Sequence, residues 1–337
     1  MSTRVVRLAQ RAGFSAVVLL SVTAITFAIL ALSPSDPARL LAGPQATEAA
    51  VAQLRVRLGL DQPLWAQYGA YLARVLSGDF GVSVQTGRPV LEEIAARAPA
   101  TIELMTSALI VAAAIAIPLG VWAARRRGGW PDHVVRAVSV ASISMPGFWL
   151  GMLLVLLFYR ELGWLPANGR FGGVEPGGPT GILLIDTLAA GDAAGFIDAL
   201  AHLALPVAAL AIADIGALAR LVRAQTLSVL SADYMRMARA SGLSEGEAVR
   251  HHAMRNVLTP LVPILALSLA QMLYGSVVIE TTFGWPGVGA YVVQAIFALD
   301  YPVILGFALI ASIAYVAFNL AADIAQSVLD PRIQEAV

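Results

Sequence analysis

The sequence predicts an all-α polytopic membrane protein. Six transmembrane helices are expected, with an external helical segment between spans one and two and a charged cytosolic hairpin between spans four and five. Three observations carry this. First, the 337 residues are 58% hydrophobic and only 13% charged, about half the charge density of a soluble domain. Second, six apolar runs, near 13–33, 101–123, 136–159, 202–222, 258–279 and 303–325, are long enough to cross about 30 Å of hydrocarbon as helices. Third, the arginines cluster on alternate sides of those runs.

The first run follows Arg4, Arg7 and Arg11. Its apolar stretch exceeds the roughly 7–15 residues of a signal-peptide core and no Ala-x-Ala site follows, so it reads as a retained span. Arg125, Arg126 and Arg127 follow span two, and Arg220 and Arg223 precede the 231–256 hairpin, which holds Arg236, Arg239, Arg250 and Arg255. The positive-inside rule then puts both termini in the cytoplasm. The chain divides into a leader with the first span (1–33), an external segment (34–100) and a core with five spans (101–337). In the external segment, Glu48 to Leu58 and Leu64 to Leu76 read as helices, Gly78-Asp79-Phe80-Gly81 as a turn, and Pro89 to Arg97 as a helix leading to the membrane. The Gly- and Pro-rich 163–200 stretch reads as irregular loop.

Composition excludes several functions. Net charge is zero, so no global field favours nucleic acid. There is no cysteine, hence no disulfide and no thiolate. The 22 basic residues are all arginine, and a chain without lysine holds no Walker A motif. If ATP drives this protein, another chain binds it. The four histidines show no metal-ligand spacing, and no nucleophile motif supports an intramembrane enzyme.

The hairpin is more patterned than a connector needs to be. Ser231 and Asp233 can cap a helix running to about Ala240, and Gly242 supplies the left-handed residue that ends it. Ser244 with Glu247 forms a capping-box pattern for a second helix. The small residues Ala238, Ala240 and Gly242 read as an exposed face permitting close approach by a partner. Inside the spans, Asp214 is a carboxylate in an apolar run and is expected to face protein or a watery cavity. It is a candidate ligand for a substrate amine or cation, or a partner for a polar group on a neighbouring subunit. Pro118, Pro146 and Pro206 are candidate kinks, and Pro146 is a candidate pathway residue. Glu103 and Glu280 are placed at external interfaces, and Trp149, Trp164 and Trp285 in interfacial belts.

The stretch Tyr234-x-Arg236-x-Ala238-Arg239-Ala240-x-Gly242-Leu243-Ser244 resembles the Glu-Ala-Ala-x-x-x-Gly loop of binding-protein-dependent ABC importer permeases, in the form of the peptide/nickel branch. Further stretches are similar in the same order: Gly78-Asp79-Phe80-Gly81, Pro99-Ala100-Thr101, Pro146-x-Phe148-Trp149, Phe283-x-Trp285-Pro286-Gly287 and Asp330-Pro331-Arg332. The chain departs from the branch at the doubled His251-His252. The resemblance implies one of two homologous permease subunits in a bacterial inner membrane. Two cytosolic ATPase subunits would carry ATP and magnesium, and an external binding protein would deliver substrate. This chain would bind no cofactor. Coupling to the ATPases would fall to Tyr234, Arg236, Ala238, Arg239, Gly242, Ser244 and Glu245. The loop Trp285-Pro286-Gly287 would be an external gate or a contact for the binding protein. Small peptides are the expected substrate, with nickel or another small solute as the alternative within the branch. A secondary transporter without ATP is the alternative outside it.

Overall fold

The computed structural model describes residues 3–32, 38–39, 46–57, 59–248 and 254–329. Among these, every regular element is helical, apart from an isolated bridge between Val82 and Pro89. In chain order the helices are α1 (Thr3–Leu32), α2 (Glu48–Arg57), α3 (Leu64–Leu76), α4 (Val90–Arg125), α5 (Trp130–Ser144), α6 (Gly147–Leu154, continued by a π-helix Val155–Glu161) and α7 (Leu183–Ala189). There follow α8 (Ala193–Leu230), α9 (Asp233–Ala240), α10 (Glu245–Ala248), α11 (Met254–Leu258), α12 (Leu261–Thr282), α13 (Val288–Phe297) and α14 (Tyr301–Leu329).

Four helices are continuous, long and apolar enough to cross a bilayer: Val90–Arg125, Ala193–Leu230, Asn256–Thr282 and Tyr301–Gln326. The first apolar run lies within α1, as Gly13–Ile29. The third run is not the single helix expected. It breaks between Ser144 and Gly147, and the two halves are sharply bent. Pro146 explains the break. It forces Met145 into extended backbone (φ −97°, ψ 123°) and itself caps α6 without an amide to donate. Pro99, Pro118 and Pro206, by contrast, sit inside unbroken helices. The separate helix expected over Pro89–Arg97 is therefore the first part of α4. The irregular loop expected over 163–200 stops early, because the glycine- and proline-rich composition ends at Gly181. Beyond it, α7 forms, and Asp192 starts α8 by accepting the Gly195 amide at 2.9 Å.

The chain forms two compact units. One comprises residues 1–96 and 291–316. In it Tyr68 and Tyr71 of α3 meet the Thr23 and Thr26 hydroxyls of α1 at 2.9 and 3.1 Å, and Phe27 packs between the two rings. Asp300 accepts the Ser83 hydroxyl at 2.6 Å and the Gln85 amide at 3.2 Å, which holds the 82–89 turn.

The other unit comprises residues 97–290 and 317–337. Its core gathers Leu104, Ala108 and Ala112 of α4, Leu205, Leu210 and Leu218 of α8, Met272 and Ile279 of α12, and Phe283 and Trp285 beyond α12. Small residues set the helix crossings, as expected where lipid offers no hydrophobic drive and contact depends on close backbone approach. A Cβ on Gly120 would lie 2.7 Å from the Ala219 carbonyl oxygen of α8. A Cβ on Gly216 would lie 2.0 Å from Ser142 Oγ and 2.9 Å from Ser139 Cα of α5, and Ser139 Oγ donates to the Gly216 carbonyl at 2.6 Å. Gly216→Ala is therefore expected to cost about 1–3 kcal/mol through overpacking, read as a lowered thermal midpoint in detergent. Gly246→Ala, at a position with open space around it, should leave the midpoint unchanged.

Candidate coupling element and pathway

The hairpin begins where α8 ends. Asp233 opens α9 and pairs with Arg236. Gly242, at φ +88°, closes it in a conformation that side-chain-bearing residues adopt only with strain. The Leu243 amide reaches back to the Ala238 carbonyl at 3.3 Å, the six-to-one bond of a Schellman stop. Two residues on, the capping box is formed reciprocally. Glu247 Oε2 accepts from the Ser244 amide (3.0 Å) and hydroxyl (2.6 Å), and the Glu247 amide points at Ser244 Oγ (3.4 Å). Two short helices follow, α10 (Glu245–Ala248) and α11 (Met254–Leu258). Arg250, His251 and His252 lie outside the described residues, as do the side chains of Arg239, Glu245 and Arg255.

One expectation is corrected. Ala238 does not face outward: it is 8% exposed and packs with buried Met235 against Val121, Val229, Leu230 and Met254. The faces follow from helical period. Met235 and Ala238 lie three apart and seat α9 on the bundle, while Tyr234, Met237 and Leu243 point away. Met237, 71% exposed, is the most prominent of them. Asn256 Nδ2 donates to the Tyr234 hydroxyl at 3.0 Å, tying α9 to α11. Nothing in the local sequence pattern announces that bond. Just before the hairpin, Arg223 of α8 donates to Asp132 Oδ2 of α5 at 2.9 Å, and the Gly128 amide donates to the same oxygen at 2.9 Å. Arg223, which enters the sequence argument only as a topology charge, is thus a fixed strut.

At the far end of the same unit, two buried acids are locked. Glu103 Oε2 accepts from Arg170 Nη2 and Nε at 2.6 and 2.9 Å, and Glu103 Oε1 from the Leu184 amide at 2.8 Å. Arg170, 7% exposed, also donates to the Gly181 carbonyl at 2.7 Å and sits 5.8 Å from the Trp285 ring centroid. Glu280, fully buried, accepts from Thr101 Oγ1 at 2.8 Å and the Ala290 amide at 3.0 Å. The Trp285 indole donates to the Ala100 carbonyl at 2.9 Å. Both acids are therefore interior groups, not the interfacial ones expected. Trp285, 1% exposed, is likewise an interior anchor and not part of an interfacial belt, nor is its ring a surface for another protein. Gly287 is required at its place, since a Cβ there would lie 2.4 Å from Glu280 Oε2 and 2.6 Å from Thr101 Oγ1. Of this loop, Gly284 and Pro286 face outward. A charge in an apolar run that needs a counter-charge, as Glu103 does, was the available signal for Arg170.

Beside this junction an open cleft of about 400 Å³ is lined by Met152, Val155, Tyr159, Ala167, Asn168 and Thr282. Pro146 and Asp214 do not line it. Asp214 lies half-buried on α8, near Ser268 of α12.

The described residues thus form an apolar helical bundle carrying a capped hairpin, and comparison with known proteins decides the family. Residues 116–335 match the binding-protein-dependent transport system inner membrane component family, and residues 5–105 match the N-terminal region described for such membrane components. The chain belongs to this family. The permease is 46% identical over 328 residues to the probable D,D-dipeptide transport system permease protein of Escherichia coli (strain K12), covering 97% of this chain and 96% of that one. It is 38% identical to the dipeptide transport system permease protein of Alkalihalophilus pseudofirmus, covering 94% and 96%. It is 39% identical to the glutathione transport system permease protein of Salmonella choleraesuis, covering 94% of each chain. The described part of the permease is all-helical with four continuous candidate spans and one broken one.

Proposed function

We propose that this permease is the membrane-spanning subunit of an ATP-driven importer that moves small peptides across a bacterial inner membrane by alternating access. The observation that carries the reading is the hairpin, stopped and restarted by its own caps, seated by Met235 and Ala238, and offering Tyr234, Met237 and Leu243 to a partner. That face receives one of two ATPase subunits, which bind and hydrolyse ATP with magnesium, and the other docks on the hairpin of the second permease subunit. A second, homologous permease subunit completes the pathway, and an external binding protein delivers substrate. Six spans with both termini in the cytoplasm put the hairpin on the ATPase side, consistent with the arginine distribution. The loop at Pro286 then faces the binding protein, with Trp285 and Gly287 fixing its shape. Peptides are favoured as cargo because the named relatives at 38–46% identity are permeases for dipeptides and glutathione.

The energetics suit an ATP-driven machine. Reversing a two-state population from 1:99 to 99:1 takes about 5.5 kcal/mol of differential binding. Closure of an ATPase pair delivers work at the hairpin, and the Arg223–Asp132 strut passes displacement of α8 to α5. The test is affinity purification of the tagged permease, co-expressed with its neighbouring transport genes, followed by reconstitution into liposomes. ATPase chains should co-purify, and labelled dipeptide uptake should require both ATP and the binding protein. Uptake driven by an ion gradient without ATP would overturn the reading.

A further inference from the structure

The turn between α4 and α5 carries three consecutive arginines. Arg125, Arg126 and Arg127 are exposed, and among the described residues no acid or hydrogen-bond acceptor meets their guanidinium groups. Neighbouring arginines are held: Asp132 pairs with both Arg223 and Arg136, and Arg136 also lies 3.1 Å from His133 Nδ1. The backbone beneath the three is fixed. Gly128 turns at φ +76° and donates to Asp132 Oδ2, and the Gly129 amide donates to the Arg126 carbonyl at 2.9 Å. The same Asp132 oxygen takes Arg223 of α8, ahead of the hairpin. The three free charges are thus built onto the strut between α5 and α8.

The surroundings put these charges at headgroup depth. On α4 the exposed apolar residues Ile102, Ile110, Ile115 and Trp122 extend over about 30 Å of helix axis, which matches the hydrocarbon core. Arg125 follows Trp122 by about one turn. Trp130 opens α5 and meets Trp122 edge to face, with ring centroids 4.7 Å apart, and both rings are exposed. Apolar side chains, then a tryptophan pair, then cations repeat the order of hydrocarbon, interface and phosphate across one leaflet. A soluble partner would reach this patch only by displacing lipid from the two rings. Guanidinium groups meet phosphate oxygens through paired N–H donors, and basic clusters just beyond a membrane helix attract anionic lipid. Three adjacent positive charges suit more than one phosphate. We propose that the 125–127 turn, flanked by Trp122 and Trp130, is a binding site for an anionic phospholipid headgroup of the two-phosphate kind found in cardiolipin. The site needs only the membrane placement of the chain and is independent of its cargo. A headgroup bound there braces the Asp132–Arg223 strut from the bilayer side.

The test is native mass spectrometry of the purified, tagged transporter, titrated in detergent with cardiolipin or with zwitterionic phosphatidylethanolamine. Each arginine beside an anionic surface contributes about five-fold to binding. Wild type should therefore hold cardiolipin at least about ten-fold more strongly than phosphatidylethanolamine, and inorganic phosphate at equal concentration should not displace it. Arg126→Gln should lower that preference about five-fold, and Gln at all three positions should bring it close to parity. Arg126→Lys keeps the charge and should retain most of the preference. Arg57, Arg74 and Arg160, exposed outside this turn, should leave it intact when changed together to Gln. No preference in wild type overturns the proposal, as does equal loss in the two triple variants. Displacement of cardiolipin by inorganic phosphate assigns the turn to a free anion and overturns it. Loss of ATPase chains from Arg126→Gln with the lipid preference unchanged assigns the turn to a protein contact and overturns it too. Arg126→Gln leaves two cations to orient the helix, so it decides the matter even where the triple variant fails to insert.

Discussion

Arg170→Ala is expected to destabilise the protein by about 3–5 kcal/mol, the cost of leaving one member of a buried ion pair uncompensated. Glu103 would keep the Leu184 amide and lose both guanidinium bonds, and the Gly181 carbonyl would lose its donor. The cation over the Trp285 ring would go as well. The measurement is thermal or denaturant unfolding of the detergent-solubilised complex. The double variant Glu103→Met with Arg170→Met should be less damaged than Arg170→Ala alone, because it removes both charges together. A shift under 1 kcal/mol in Arg170→Ala would show that water reaches Glu103 and that the pair does not hold the 170–184 segment to α4.

The second large effect separates the two faces of α9. Met237→Asp leaves the seating residues untouched, so the thermal midpoint should hold. Burying a carboxylate in the proposed ATPase contact should remove at least about 2 kcal/mol of docking energy, the scale of an interface hot spot. Co-purified ATPase and ATP-driven uptake should both fall about 30-fold or more. Ala238→Leu does the opposite. It crowds Met235, Val121 and Val229, so the midpoint should drop by the overpacking cost of about 1–3 kcal/mol before any docking is lost. Full retention of ATPase chains by Met237→Asp would remove the exposed face as the docking surface.

The two variants also mark how far the sequence could be read. Helix α3 begins and ends at the residues its composition indicates, and the stop at Gly242 and restart at Ser244 follow from side chains acting within four residues of themselves. Such local chemistry is written in order along the chain. The facing of Ala238 is not, because a small residue suits an exposed contact and a tight packing site equally well. The prolines make the same point. Pro99, Pro118 and Pro206 remove a donor as Pro146 does, yet only Pro146 ends its helix. Glu103 and Arg170 are separated by 67 residues, so each is visible as an isolated charge and their pairing only in three dimensions.

The crossings at Gly120 and Gly216, with the Arg223–Asp132 strut, leave α8 almost no play against α4 and α5. Helices in such close contact resist sliding or rolling independently. The three helices therefore behave as a single stiff lever with the hairpin as its handle. The nearest departure from helix along this lever is the break at Met145–Pro146, where α5 ends and the chain turns into α6.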